Sequence, residues 1–597
     1  MIKKLDSRKH VINFILAIGL GTTFLYLGLI VTFFLLNLLP VDPALLILGP
    51  GPFTMPEYLV AVEQLGLNDP LFFRFLRYLF EFLSGDWGFS YTVWAGAPVN
   101  VLLKTSVPHT IELLILPLCI GIILGRVFGR LSNRTKRKRL KGGIQLLSAA
   151  GIAAPVFFFG MFLQFTLGYL IPLFPTTGYK TYSYPTPPSI TGFLIFDSLI
   201  SGNAYLAIDV LYHYALPSIV LTVAITALMT RLFSSKMVKD SYKKKTILSN
   251  TAKTSVAFGV ILTYLILIDV TFGLYGFGFF FINAIRNFDF FLIRGFLFVF
   301  IILFAITLIT SNLIFSLRTL LKDRKPPQEE LEDAIEREPN LSLKEEIKNY
   351  VTKIVHSPLA IIGLVAVLIP IFIAIFPELV SGHTFEDAFG IYINQWGPPS
   401  SENPLGQTKF GRDVLTLIAF GTRDSLIFGL GAILIGLIGG LAIGLLASKF
   451  NRIAHTITMS ITLIFYILPG ILLVLLLINT AGAFGVDRYG FLMFMTGLLL
   501  IPGFTRIIAN TEFRIVSMGK KIISYLPLFA GFAILFYVAL GFLGYSYPLT
   551  VQLGDLVSEG RVHLYDAPWA SLWPGLIAFL IVTSLFILHE GLVKHSR

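Results

Sequence analysis

Charge and cysteine are both scarce in this sequence. Charged residues fill 13% of its 597 positions, about half the share found in a soluble domain. The one cysteine, Cys119, lies inside an apolar run, which excludes an intrachain disulfide and a cysteine metal cluster. The nine histidines show no H-E-x-x-H or similar ligand spacing. The Gly519-Lys520 pair lacks both the preceding glycine and the following Ser/Thr of a phosphate loop. No ATPase is therefore encoded, no cofactor or metal is implied, and no nucleophile–base or acid–base pair points to an enzyme.

What is abundant is hydrocarbon. Hydrophobic residues make up 55% of the chain, the mean hydropathy is +0.79, and many apolar runs reach the roughly 20 residues that cross a bilayer. The sequence predicts an all-α, polytopic membrane protein. Its net charge of +12 does not indicate nucleic acid, because the basic residues cluster in short loops between apolar runs, as in cytoplasmic membrane loops. The N-terminal run 11–39 is too long for a signal h-region and lacks a small-residue cleavage site, so it reads as a retained first helix.

Twelve spans are expected. Six lie near 11–39, 108–128, a stretch that contains Ala154-Pro155 and ends at Leu173, a stretch that starts near Leu216, 255–272 and 291–315. Six more lie near 358–376, 426–447, 457–478, 490–508, 522–543 and 573–592. The stretches 126–141, with eight basic residues, and 231–253, with seven, fall on the same side as both termini. The long loops 40–105 and 378–423 fall on the other side and carry few basic residues. By the positive-inside rule both termini are cytoplasmic, in a multi-pass protein of the cell membrane. Between the two sets, eight acidic residues fall between Glu329 and Glu346. Ser342-x-x-Glu345 fits a capping box, and Leu343, Ile347, Val351 and Ile354 recur at helical spacing, giving an amphipathic helix along the membrane.

Certain motifs say more than the hydropathy. Residues 403–426 read NPLGQTKFGRDVLTLIAFGTRDSL. There Arg412, Asp413, Arg423 and Asp424 are expected where a polar loop becomes a helix. Pro404-Leu405-Gly406, then Gly411-Arg412-Asp413-Val414-Leu415, then Gly421-Thr422-Arg423-Asp424-Ser425-Leu426 resemble the signature before the second helix in one membrane subunit of dipeptide and oligopeptide ABC importers. Further landmarks resemble the other membrane subunit of that family. They are Gly85-Asp86-Trp87-Gly88, Pro108-His109-Thr110-Ile111-Glu112-Leu113, Leu173-Phe174-Pro175-Thr176-Thr177-Gly178-Tyr179 and the 271–289 loop.

The resemblance covers nearly the whole chain and implies two fused six-helix permease-like halves, 1–325 and 356–597, joined by the linker and elbow helix at 326–355. It further implies two cytoplasmic ABC ATPase subunits and an external peptide-binding protein as partners, beside membrane lipids, with no nucleic acid. The family's coupling loop carries an acidic-Ala-Ala motif with a later glycine, and neither 236–253 nor 509–521 contains it. Each of these loops is also roughly 20 residues short of the family's, and could barely build a protruding helix of about eight residues, about 12 Å long. The ATPase-facing candidates are accordingly Lys236, Tyr242, Lys243, Arg514 and Lys520. The short loops favour a rival reading, an ATP-uncoupled membrane scaffold derived from a permease. An ion-coupled carrier would need charges in mid-span, and none is central.

Glu112 and Asp269 are candidate groups on a substrate path, because ionisable residues in spanning segments commonly face a cavity or a partner. Their alternative is a snorkelled or capping carboxylate near an interface. Gly411 with the Arg412/Asp413 and Arg423/Asp424 pairs is expected to fix the loop and helix start. The basic run 134–141 is a topology anchor or a site for anionic lipid.

Overall fold

The structure is a computed structural model. It describes residues 2–49, 51–234, 247–320, 343–449, 470–483, 485–509, 515–547 and 549–593, with 458, 462 and 511. Among the described residues helices are the dominant element, with no strand and only two isolated bridges.

Helix α1 (Ile2–Asn37) leads into the 40–105 loop, which is folded into three short helices, α2 (Pro43–Leu48), α3 (Met55–Leu65) and α4 (Leu71–Ser84). Each of the first two has a local cause. The Asp42 side chain accepts the Ala44 N–H at 2.9 Å with Pro43 opening the helix, and Thr54 with Glu57 forms a full capping box. Helix α4 rests on α1 through a 2.6 Å hydrogen bond between the Tyr78 and Thr32 hydroxyls, and Tyr78 packs on the Phe298 ring.

Helix α5 (Val99–Arg134) follows. Then α6 (Lys138–Ala153) meets α7 (Val156–Leu163), which continues as a π-turn through Gln164–Leu170. The two are bent by 92°. Pro155 sits at the break, where its ring and missing N–H cannot continue the ladder. Next come α8 (Leu194–Ile200), α9 (Ala204–His213), α10 (Ala215–Ser234), α11 (Ile247–Phe272), the short α12 (Phe277–Arg286) and α13 (Phe290–Leu320).

Helix α14 (Leu343–Val355) opens the second set. After it come α15 (Pro358–Ile375), α16 (Pro377–Ser381), α17 (Val414–Lys449), α18 (Gly470–Ala483) and α19 (Arg488–Ala509). The chain ends with α20 (Ile515–Phe542), the short α21 (Leu553–Gly560) and α22 (Trp569–Val593).

Helix association inside a bilayer gains little from hydrophobicity and depends on close backbone approach at small residues. Both sets use the same device. On α5, Gly121, Gly125 and Gly129 face α10. A Cβ on Gly125 would stand 2.4 Å from the Met229 Cβ and 3.0 Å from the Thr230 nitrogen. On α17, Gly436, Gly440 and Gly444 face α19, and a Cβ on Gly440 would stand 2.3 Å from the Phe504 Cβ and 3.1 Å from the Thr505 nitrogen. In each set, then, the second and fourth spans are joined by glycines spaced four apart.

Ten described helices are long and apolar enough to cross a membrane, and the bent α6–α7 pair makes an eleventh candidate. The count of twelve is therefore not confirmed among the described residues. Half of the span expected at 457–478 lies outside the described residues, which there are 458, 462 and the first part of α18. Two boundaries also differ from expectation. Helix α5 starts at Val99, well ahead of Pro108. Helix α17 starts at Val414 rather than near Leu426, so Arg423 and Asp424 lie within a helix and not at its entrance. The Ser342 capping box and most of the acidic linker lie outside the described residues.

Candidate functional site

The 403–426 stretch owes its shape to two glycines in the left-handed region. Gly406 (φ 80°) presses on the Trp569 ring and Gly411 (φ 67°) on the Tyr392 carbonyl, where a Cβ would lie 2.4 and 2.8 Å away. The turn between them is closed by Thr408 N donating to Arg412 O and Gln407 Nε2 donating to Gly411 O. Arg412 donates to the Gly390 and Phe389 carbonyls at 2.8 and 3.2 Å, and its guanidinium lies over the Phe410 ring. Asp413 caps α17 by accepting from the Thr416 N–H and hydroxyl at 2.7 and 2.8 Å. Three turns on, Asp424 accepts the Val551 N–H at 2.7 Å just before α21, while Arg423 is exposed. Gly411, Arg412 and Asp413 thus stand together at the helix start. Arg423 and Asp424 are separate from them, and Asp424 ties the helix to the loop that precedes α21.

Glu112 and Asp269 are both buried, and both hold the start of a short helix. Glu112 accepts the Leu194 and Ile195 N–H groups of α8 at 3.1 and 2.8 Å. Asp269 accepts from Gly276, Gly278 and Phe279, between 2.7 and 3.2 Å, at the start of α12. Thr110 of α5 accepts the Phe277 N–H at 2.8 Å, as Asp424 of α17 does for Val551. In each set the second span therefore catches the backbone at the beginning of the short helix that precedes the last span. The recess beside Asp269, which includes His109 and Tyr214, is too small for a water molecule.

The two sets meet along α6–α7 and α22. Phe157 stacks on Phe542 with centroids 4.3 Å apart, Tyr169 stacks on Tyr565 at 4.8 Å, and the Ser571 hydroxyl lies 3.6 Å from the Met161 sulfur. Gly575 lets Phe158 lie directly against α22. At the opposite end of the bundle Arg231 of α10 pairs with Glu590 of α22. At the end that carries the long loops, two arginines cross the seam in opposite directions. Arg286, closing α12, donates to Leu543 O beyond α20. Arg561, following α21, donates to Val270 O of α11 at 2.7 Å. Burial first, and then the Arg286 guanidinium, hold the pKa of Arg561 below its usual value.

Among the ATPase-facing candidates, Lys236, Tyr242, Lys243 and Arg514 lie outside the described residues. Lys520 is on the first turns of α20, where its ammonium stands 3.6 Å from Glu346 of α14 and over the Tyr350 ring. The Tyr350 hydroxyl bonds Ser524 at 2.9 Å. The amphipathic helix is thereby seated on α20, with Ile347, Val351 and Val355 exposed on its other side.

Sequence reasoning missed Arg286, Arg561 and the two glycine rows. The glycines were visible as repeated G-x-x-x-G. The arginines carry no local signal, since their acceptors are backbone carbonyls of the opposite set.

No protein-family model matches the chain. It is 30% identical over 208 residues to the oligopeptide transport system permease protein AppB of Bacillus subtilis, which is 35% of this chain and 59% of that protein. It is 28% identical over 211 residues to the probable D,D-dipeptide transport system permease protein DdpB of Escherichia coli, covering 35% of this chain and 61% of DdpB. These two relatives are thus matched over about three fifths of their length. A third match is fuller: the dipeptide transport system permease protein DppC of Alkalihalophilus pseudofirmus is 30% identical over 260 residues, 39% of this chain and 84% of DppC. Each relative is a transport permease, and nothing in them favours a scaffold. The chain belongs to the family of dipeptide and oligopeptide ABC-transport permeases.

Proposed function

We propose that the chain forms the membrane pore of an ABC-type importer of dipeptides, oligopeptides or related small solutes, with both permease halves in one polypeptide. Residues 1–325 make one half, 326–355 the linker and elbow helix, and 356–597 the other half. The observation that carries this reading is that each half holds its own copy of two devices. One is the glycine row between second and fourth spans, and the other is the polar clasp on the short helix before the last span. Two equivalent units facing each other across a seam are what a path between halves requires.

The chain itself gates and does no chemistry. Two cytoplasmic ATPases drive it through the loops at 236–253 and 509–521, where Lys236, Tyr242, Lys243 and Arg514 lie. A binding protein delivers solute to the 40–105 and 378–423 loops on the outside, and both termini are cytoplasmic. The relatives' names cover oligopeptide, D,D-dipeptide, dipeptide and glutathione transport systems. Solute passes between the halves once the Phe157–Phe542 and Tyr169–Tyr565 pairs have parted. Glu112 and Asp269 act as positioning residues, keeping α8 and α12 in place at the mouth of that path.

The test is purification of the tagged chain in mild detergent with identification of its partners by mass spectrometry, followed by peptide uptake in reconstituted vesicles. Two ATPase subunits per chain, and uptake lost on alanine substitution of Lys243 and Arg514, are expected. Recovery without an ATPase, even after crosslinking, refutes the proposal.

A further inference from the structure

The two arginines that cross the seam have an unusual environment. Each donates to a neutral backbone carbonyl, and among the described residues neither takes part in an ion pair. Among the described residues, the Arg286 guanidinium is near enough to act on Arg561 as a like charge. Gly544, at φ 81°, accommodates the Arg286 side chain, because a Cβ there would stand 2.4 Å from its Nη2. Arg561 also lies over the Phe542 ring, 5.5 Å from its centroid, which places it beside the Phe157–Phe542 stack.

A guanidinium is shaped to hold a carboxylate through two parallel bonds between opposite charges, a bidentate fit that a single neutral carbonyl does not offer. Two guanidinium groups that reach neighbouring residues, Leu543 and Phe542, and have no ion-pair partner among the described residues make an anion-binding position that neutral groups now hold. The carbonyls that occupy it now belong to the C-terminal ends of α11 and α20, whose partial negative charge makes them serviceable substitutes.

We infer that Arg286 and Arg561 form a carboxylate-binding site at the loop-bearing end of the seam, filled in this conformation by the opposite half's carbonyls. A solute carboxylate, such as the C-terminus of a small peptide, competes for the guanidinium groups and releases both crossings together. Binding there favours the conformation in which the halves have separated, because only that conformation frees the guanidinium groups. The inference deepens the importer reading and rests on it for its biological purpose, though not for its chemistry.

The test uses the full chain in nanodiscs with no ATPase present. With Cys119→Ser as background, Tyr169→Cys and Tyr565→Cys are joined by a short bifunctional thiol crosslinker that reports closure of the seam. Alanyl-alanine is expected to lower the crosslinking rate at least about fivefold, a coupling of ordinary size, and its C-terminal amide to leave the rate unchanged. In the Arg286→Gln/Arg561→Gln variant the rate should be low from the start and indifferent to the dipeptide. If that variant fails to fold, as judged by gel filtration and circular dichroism, each single Gln variant should show a reduced response. Equal effects of acid and amide, no effect at the highest soluble dipeptide concentration, or a full response in the Gln variants each overturn the inference. Uptake is scored separately, in reconstituted vesicles that contain the co-purified ATPases. A carboxylate-dependent response in nanodiscs without uptake in those vesicles leaves this site standing and removes the importer reading, whereas uptake with no such response does the reverse.

Discussion

Replacing Gly440 with alanine tests whether the glycine rows bring the second and fourth spans together. The new methyl would sit 2.3 Å from the Phe504 Cβ, 3.1 Å from the Thr505 nitrogen and 3.3 Å from the Ile501 carbonyl oxygen. A change of rotamer relieves none of these contacts, since each involves backbone or a Cβ. Helices α17 and α19 must therefore move apart by about an ångström along the row, at a cost of about 1–3 kcal/mol for an overpacked site. Alanine also improves helix propensity by up to about 1 kcal/mol, so the proper reference is a glycine with open space around it. Gly143 of α6 has nothing within 4 Å of its ideal Cβ. Gly143→Ala should be neutral or slightly stabilising, and Gly440→Ala should fall below it by about 1–3 kcal/mol. Gly125→Ala should behave like Gly440→Ala, because its methyl meets Thr230 N at 3.0 Å. Thermal or denaturant unfolding in one detergent, with all three variants side by side, measures the difference. Equal stability of Gly440→Ala and Gly143→Ala would refute the reasoning, whatever either variant does to uptake.

Asp289 is fully buried, and one of its oxygens accepts from the Ser90 hydroxyl and from the Tyr91, Thr92 and Val93 N–H groups. Asp289→Asn should release the 86–98 loop by about 2–3 kcal/mol, seen as faster amide exchange at residues 90–93, with unchanged exchange there refuting the assignment. In the exposed 378–423 loop, the Thr384 backbone and side-chain hydrogen bonds hold the Asp387 carboxyl below its usual pKa. With the folded pKa below the unfolded one, the turn has its full stability above the unfolded value and loses it as pH falls through the folded value. The Thr384 amide should therefore exchange faster, relative to its intrinsic rate, only below about pH 4, and an Asp387→Asn variant should show no such step.

Much of this architecture was legible because membrane spans announce themselves by length and hydropathy. The 403–426 signature was equally legible, because its glycines and its Asp413 cap act within one turn. The misplaced start of α17 has a physical cause. Arg423 and Asp424 look like the edge of the hydrocarbon, yet Asp424 is satisfied by the Val551 N–H, 127 residues away in the chain, and Arg423 is exposed. Glu112 and Asp269 stood out as ionisable groups in apolar surroundings, but their acceptor roles depend on α8 and α12, whose positions no local pattern specifies. Arg286 lay in the recognised 271–289 loop and still escaped notice, as did Arg561, since their partners are carbonyls and carbonyls have no sequence.

The break at Pro155 has a mechanical consequence. Beyond it, residues 156–170 form an arm about 22 Å long at the helical rise, and that arm carries Phe157, Phe158, Met161 and Tyr169 against α20, α22 and the loop between α21 and α22. A swing of about 5° at its root would displace the tip by about 2 Å, enough to part the Tyr169–Tyr565 rings while Phe157, two residues from the pivot, hardly moves. A proline corner so placed would serve as a lever, translating a slight rotation near one end of the seam into a graded release that begins at the tip.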